Sequence, residues 1–197
     1  MQSLSINGTR VLWYDFDKTT STMDYAVKMT REGCDPWTIV SADEQTSGRG
    51  TQGRTWFSPG GKGLWISVVL PPPYKAEYLS NLSILAAQAL VQSFKEFTEL
   101  KFDIKHPNDV TAGGKKIAGI LFESTTIGEK VLSVVLGMGV NFRQSIKDFE
   151  HEGLFDATSF YIETGRIPDR EQLITSFLKH FKPMYEKTIL EVENIDT

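Results

Sequence analysis

Cysteine is nearly absent: Cys34 is the one thiol in 197 residues, so neither a disulfide framework nor a cysteine-based zinc site can form within the chain. Cys34 itself reads as a small buried or half-buried thiol. Histidine is almost as scarce, and His106, His151 and His180 are too widely separated to offer metal-ligand spacing or a Ser/His/Asp or Cys/His constellation. Long apolar runs are missing as well. The longest, Leu64 to Leu70, is far too short to cross a bilayer, and residues 1–20 lack a basic segment followed by an apolar core. No membrane partner is expected, and the cytoplasm is the expected location. Positive charge is not in excess either, since 21 Lys and Arg against 25 Asp and Glu leave a net charge of −4, which argues against a general affinity for nucleic acid. Local arginines must therefore act as individual ligands and not as a field.

With 40% hydrophobic residues the chain is long enough to bury a core, and a single domain over residues 1–197 is expected, without internal repeat or linker. Arg10–Phe16 has a strand's composition, and no helix-turn-helix pattern precedes it, so a DNA-binding domain is not expected. Ser21 or Thr22 can cap a helix running through Met23, Tyr25, Ala26, Val27 and Met29, which Gly33 suits as a left-handed stop. A short strand over Trp37–Ala42 follows, and Leu64–Leu70, closed by three prolines, reads as a central strand covered on both faces. From about Leu79 to Phe97, a stripe through Leu82, Leu85, Ala86, Ala89, Leu90 and Phe94 predicts a helix facing a sheet.

Phe102–Lys105 starts a strand that Pro107 ends, and Ala112-Gly113-Gly114 turns the chain into another strand from Lys116 to Glu123. Val131–Val140 should pair beside it after a turn near Gly128. Residues 142–168 read as an irregular connection with about one helical turn. A last helix from near Asp169 should bury Leu173, Ile174, Phe177, Leu178 and Phe181 and be interrupted or bent at Pro183.

Chemistry concentrates between Gln45 and Trp56, where Gly48, Arg49, Gly50, Gly53 and Arg54 sit in a stretch without apolar periodicity. Glycines there bring bare N–H groups close to an anion, and the arginines add forked hydrogen bonds to phosphate or carboxylate. By itself such a loop is either a mobile surface turn or a ligand clamp, and it lacks the Gly-Lys-Ser/Thr ending of a P-loop. Three further stretches stand in register with it: Ser21-Thr22-Met23-Asp24, Lys105-His106-Pro107-Asn108-Asp109 with Lys115-Lys116-Ile117-Ala118-Gly119-Ile120-Leu121-Phe122-Glu123, and Gly137-Met138-Gly139-Val140-Asn141. In order and approximate spacing these four resemble the catalytic domain of biotin protein ligases, from about Ser21 to the last helix.

The resemblance implies an α+β fold, a mixed and mainly antiparallel sheet backed by helices, similar to class II aminoacyl-tRNA synthetase cores. It implies condensation of biotin with ATP to biotinyl-5′-AMP and pyrophosphate, then transfer to a lysine of the biotin carrier domain of acetyl-CoA carboxylase or a related carboxylase. Ser21, Thr22 and Gln45 would hold the ureido ring, with Gly48 in the loop that follows. Arg49 would close over biotin and phosphate, and the amides of Gly50 and Thr51 would meet the carboxylate end. Lys105 would be the key cation, touching both the biotin carboxylate and the α-phosphate, so that Lys105 and Arg49 carry the catalysis. Arg54, Trp56, Asn108, Lys116 and Asn141 complete the implied ATP site, with Trp56 stacking on adenine or else buried as core. Mg²⁺ would enter on the phosphates; no metal ligand is assigned, and Glu123 is a weaker candidate beside the ion. A homodimer is among the assemblies open to the chain.

Some features depart from the family. Met23 stands where some members carry Asn, His106 where Trp is usual, Thr51 and Gln52 where Arg or other polar residues are common, and the small β-rich domain that many members carry after the last helix is not expected here. Alternatives are a lipoate ligase of the same fold, separable by pyrophosphate exchange with lipoate, and a non-enzymatic biotin-binding module, against which Lys105 speaks. A biotin-dependent DNA repressor would need the missing helix-turn-helix.

The Thr51 departure generates a prediction. A guanidinium at that position would add charge-assisted contacts to the carboxylate end, each worth roughly 1.5–3 kcal/mol, so its absence should raise escape of the acyl-adenylate on the order of ten-fold. Radiolabelled adenylate formed on the protein and chased with unlabelled ligand should leave the native chain faster than Thr51→Arg; equal or slower release from the native chain would sink the idea.

Overall fold

A computed structural model describes residues 1–73, 79 and 81–193, with side chains to residue 189. Its frame is an eight-stranded sheet: β1 (Gln2–Ile6), β2 (Thr9–Thr19), β3 (Ile39–Gln45), β4 (Gly63–Leu70), β5 (Phe102–Lys105), β6 (Asp109–Ala112), β7 (Lys115–Ile127) and β8 (Lys130–Asn141). The strands lie in the order β1-β2-β3-β4-β8-β7-β6-β5. Only β2 and β3 run parallel, joined through helix α1 (Thr22–Arg31), and every other neighbouring pair is antiparallel. That is the expected α+β architecture. Among the described residues no helix is long and apolar enough to cross a membrane.

Alternation of side chains gives the sheet two different faces. On one, Leu64, Ile66, Val68 and Leu70 of β4 join Val134, Leu136, Met138 and Val140 of β8 beneath helices α2 (Leu82–Phe94) and α5 (Arg170–Glu193). Leu173, Ile174, Phe177, Leu178, Phe181 and Tyr185 of α5 are fully buried there, and Tyr185 Oη donates to the Pro71 carbonyl at 2.6 Å. Truncating any one of these phenylalanines to alanine would cost about 3–5 kcal/mol, so this face carries most of the fold's stability. The opposite face holds a smaller cluster, Met23, Ala26, Val40, Val69 and Val135, under α1.

Several expectations needed correction. β1 is a strand that its polar, exposed residues do not advertise; only Ile6 is buried, and the hairpin register with β2 holds the rest. β6 lies between Pro107 and the Gly113-Gly114 turn, so the reading of one hairpin there becomes two, β5–β6 and β6–β7. The connection after β8 contains two short helices, α3 (Ile146–His151) and α4 (Phe160–Thr164), each opened by a serine, Ser145 or Ser159, whose hydroxyl accepts from the third residue onward. Capping supplies what these helices lack in length. α5 continues through Pro183, flanked by the buried Phe181 and Tyr185, whose packing outweighs one missing N–H bond. α2 starts at Leu82; its expected beginning at Leu79 runs through Ser80, which lies outside the described residues.

α3 is tied to the turn before β4 by Lys62, whose ammonium donates to Asp148 at 2.7 Å. That bond, with the Ser145 amide, holds the Asp148 carboxyl down at about 2. Because the folded value is depressed, the stabilisation is complete above the ordinary carboxylate range and is lost as pH falls through about 2. Both side chains are partly exposed, so the pair contributes less than about 1 kcal/mol. In Lys62→Met the Asp148 titration followed by NMR should move upward toward the ordinary value; an unmoved titration would show that Lys62 is not what holds it down.

Candidate active site

On the α1 face, a cleft of about 580 Å³ opens between α1, the Gly/Arg loop, the β5–β6 turn and the segment after α3. Its floor follows from strand alternation. Residues Gly119 and Leu121 of β7, Gly137, Gly139 and Asn141 of β8, and Ser67 of β4 fall on the face opposite the large core. Gly119 and Gly139 are cross-strand partners, and the indole of Trp56 rests on the pair: a Cβ would meet the ring at 2.6 Å from position 119 and at 2.3 Å from position 139. The two glycines are a seat for a rigid ring. Lys116 brings its ammonium to 4.9 Å from the centroid of that ring and pairs with Asp109 at 2.6 Å.

The inner end of the cleft is lined by neutral, buried groups, Ser21, Thr22 and Ser67. Ser21 occupies the N-cap position of α1 but makes no capping bond, contrary to the capping read from the sequence; its hydroxyl is buried and has no partner among the described residues. Gln45, arriving on β3, takes over that task. Its Oε1 accepts from the Thr22 amide at 2.8 Å and from the Thr22 hydroxyl at 3.1 Å, and its Nε2 donates to Ser58 Oγ at 2.8 Å. A polar atom from another strand thus satisfies the helix end and leaves Ser21 for a ligand.

Charge gathers at the mouth. Arg49 donates from its two terminal nitrogens to Asp24 on α1 and to Glu123 on β7. Burial opposes a charge there, but the two carboxylates outweigh it and raise the guanidinium above its ordinary value. Arg54 folds back onto the loop, donating to the Thr51 hydroxyl at 2.7 Å and the Thr51 carbonyl at 3.2 Å. Lys105 ends β5, exposed at the rim.

The structure therefore brings Ser21, Thr22, Gln45, Arg49, Gly50, Thr51, Arg54, Trp56, Lys105, Asn108, Lys116 and Asn141 to one cleft. Gly48 lies behind the lining, where a Cβ would meet the Trp56 carbonyl at 2.4 Å and Ser58 Oγ at 2.6 Å. Glu123 reaches the mouth through Arg49. Two of the asparagines already hold structure. Asn108 donates to the Ile120 carbonyl at 2.8 Å, and Asn141 donates to the Thr158 carbonyl at 2.9 Å while accepting from Gln144 at 3.0 Å. Among the described residues no group of three or more His, Cys, Asp or Glu is placed to hold a metal ion.

Sequence reasoning missed Ser67, hidden in an otherwise apolar strand, and the apolar rim formed by Leu154 and Phe155. Phe155 is 70% exposed, on a segment pinned to β7 by the Lys116 amide donating to the Asp156 carbonyl at 2.7 Å and by the Thr158 amide donating to the Lys116 carbonyl at 2.8 Å. An apolar pair surrounded by acidic residues at 150, 152 and 156 was the available signal.

Residues 13–141 match the model of the biotin/lipoate A/B protein ligase family. The chain is 36% identical over 180 residues to the bifunctional ligase/repressor BirA of Bacillus subtilis, covering 91% of this chain and 55% of that protein. It is also 36% identical over 160 residues to the biotin--[acetyl-CoA-carboxylase] ligase of Paracoccus denitrificans, covering 80% and 66%. The chain thus spans about half the length of the first of these relatives and about two thirds of the second. Among solved structures, the biotin protein ligase from Aquifex aeolicus in complex with biotin and ATP superposes with a TM-score of 0.72 at 29% identity, covering 91% of this chain and 71% of that one.

The glycine seat makes a prediction. In Gly139→Ala the added methyl cannot share space with the indole, so Trp56 must lift from the floor. The intrinsic fluorescence should shift, and the same substitution in a Trp56→Phe background should leave the spectrum unchanged. A Gly139→Ala spectrum identical to the native one would remove the seating role.

Proposed function

The chain belongs to the biotin/lipoate A/B protein ligase family, and on that premise we propose that it is an ATP-dependent biotin protein ligase whose catalytic domain spans residues 1–197. The observation that carries this reading is the convergence of four separated motifs on one cleft, neutral at its inner end and charged at its mouth, where Arg49, Arg54 and Lys105 stand. A carboxylic acid does not acylate an amine at neutral pH, because its oxygen leaves poorly. Adenylation removes that barrier: a biotin carboxylate oxygen attacks the α-phosphorus of ATP, pyrophosphate departs, and the acyl carbon then has AMP as its leaving group.

In this reading Ser21, Thr22 and Gln45 take the ureido ring, and the loop amides of Gly50 and Thr51 meet the carboxylate. Gly48 keeps the loop close to Ser58. Lys105 and Arg49 follow the negative charge as it moves from carboxylate and triphosphate to the adenylate, an electrostatic role that needs no nucleophilic side chain. Arg49 reaches that state by exchanging Asp24 and Glu123 for ligand oxygens, so the clamp is charged and oriented before the substrate arrives. Arg54, Trp56, Asn108, Lys116 and Asn141 border the nucleotide, the two asparagine side chains shaping the wall through their bonds to the Ile120 and Thr158 carbonyls. Mg²⁺, held by phosphate oxygens, would neutralise the triphosphate and assist departure of pyrophosphate.

The second step is attack of a carrier-domain lysine amine on the acyl carbon, which breaks the bond to AMP and leaves biotin in amide linkage. The names of relatives that act on acetyl-CoA carboxylase support a carboxylase carrier as acceptor. The net charge of −4 supports a protein without general affinity for nucleic acid, and the cytoplasm is its proposed setting.

Biotin-dependent exchange of pyrophosphate into ATP tests the first step directly. The native protein should catalyse it with biotin and not with lipoate. Lys105→Ala should lower it on the order of 10²-fold or more with the fold intact, as for loss of an electrostatic transition-state donor. Unchanged kinetics in that variant would take Lys105 out of the mechanism, and lipoate preference in the native chain would move the reading to the sister activity of the family.

A further inference from the structure

The hydrogen bonds behind the inner end of the cleft have a fixed direction, because two backbone groups, the Thr22 amide and the Trp56 carbonyl, anchor them. The Thr22 amide can only donate, so the atom facing it at 2.8 Å is the oxygen of Gln45 and not its nitrogen. Gln45 Nε2 is then the atom facing Ser58 Oγ at 2.8 Å, and it must donate. Ser58 accepts that bond and gives its one proton to the Trp56 carbonyl at 2.9 Å, an atom that can only accept. At the other side, the Thr22 hydroxyl donates to Gln45 Oε1, so in its 2.9 Å contact with Ser67 it is the acceptor and Ser67 the donor. The order Ser67, Thr22, Gln45, Ser58, Trp56 carbonyl admits no reversal.

Each hydroxyl proton along this line is committed, and the groups are sealed from water: Ser67 is 0% exposed, Thr22 3% and Ser58 4%. What remains for a ligand is determined by subtraction. Gln45 keeps one N–H donor, Ser67 keeps only lone pairs, and the unpartnered Ser21 hydroxyl can serve either way. Gly48 protects the arrangement, since any side chain there would drive into both Ser58 Oγ and the Trp56 carbonyl.

We propose that Ser58, which does not line the cleft, is a positioning residue that anchors the nitrogen end of the Gln45 amide, whose polarity the Thr22 amide sets, so that the remaining N–H is held toward the cleft and the site selects a cyclic urea over its cyclic guanidine counterpart. The inference rests on the proposed biotin reading. A urea offers a carbonyl acceptor to the free Gln45 N–H and ring N–H donors to the hydroxyl lone pairs. The 2-imino analogue of biotin has no such acceptor, because its protonated guanidine carries donors only. Loss of Ser58 leaves the Gln45 NH₂ unanchored on its far side, and the contrast between the two ligands should shrink.

The test compares biotin and 2-iminobiotin in pyrophosphate exchange on the native protein, Ser58→Ala and Gln45→Glu. Ser58→Ala should raise the KM for biotin about ten-fold, leave kcat and the KM for ATP within about two-fold, and lower the biotin-to-iminobiotin preference about ten-fold. Gln45→Glu, which replaces the donor by a second acceptor, should reverse the preference. An equal rise in KM for both ligands in Ser58→Ala, with the preference unchanged, would assign Ser58 to packing and overturn the proposal. Should Ser58→Ala not fold, retention of the native preference in Gln45→Glu overturns it equally. Failure of the native protein to exchange with biotin would instead overturn the reading of the site on which the proposal rests.

Discussion

Alternation along β4, β7 and β8 is the constraint on which the site depends. The same 8 to 13 residues per strand must fill a large core on one face and leave a cleft on the other, and the strand period of two separates the tasks cleanly. Ile66, Ile120 and Met138 face the helices; Ser67, Gly119, Leu121, Gly137 and Gly139 face the cleft. A one-residue slip in β8 would put Met138 or Val140 where Trp56 rests and would turn the glycines into the core. Stability of the α2–α5 side therefore enforces the geometry of the chemical side, although no residue of α2 or α5 lines the cleft.

Electrostatics divides the cleft along its length. Its inner end carries only neutral groups, hydrogen-bonded to one another except for the Ser21 hydroxyl and one Gln45 N–H, and the charged groups Arg49, Lys105 and Arg54 stand at the exposed end. An unpaired charge buried where Ser67 sits would cost several kcal/mol, whereas at the mouth water and neighbouring carboxylates offset most of that penalty. Arg49 shows the compromise: Asp24 and Glu123 keep it oriented without burying it. Under the proposed function this gradient matches a ligand with a neutral ring at one end and growing negative charge at the other.

Legibility in the sequence followed from how local each signal was. The apolar run of β4, the stripe of α2 and the buried face of α5 are written in consecutive residues, and the structure has them where the patterns predict. The motifs around Gln45, Lys105 and Asn141 could be recognised one by one, yet nothing local says that they converge, and the sheet order that makes them converge is long-range. β6 was hidden because four residues between a proline and two glycines look like a turn. α3 and α4 were hidden because their stability lies in serine caps, not in periodicity, although the Ser145 and Asp148 pair was there to be read. Ser58 and Ser67 are the harder cases. A serine in a loop and a serine in a strand have no local mark of function, and their roles appear only when the partners from α1 and β3 are in place.

Gln45 shows why such residues matter beyond their own contacts. It ends β3, caps α1 and borders the cleft, so the strand's register, the helix's start and the ligand's donor are set by one amide group. A carboxylate would cap the helix as well, and a methionine would fill the space, but neither would offer both an acceptor to Thr22 and a donor to the cleft. The requirement for both on a single planar group is what makes Gln45 difficult to replace. It also makes the surrounding hydroxyls consequential, because an amide with two nearly isosteric ends points the right way only as far as its neighbours can tell those ends apart.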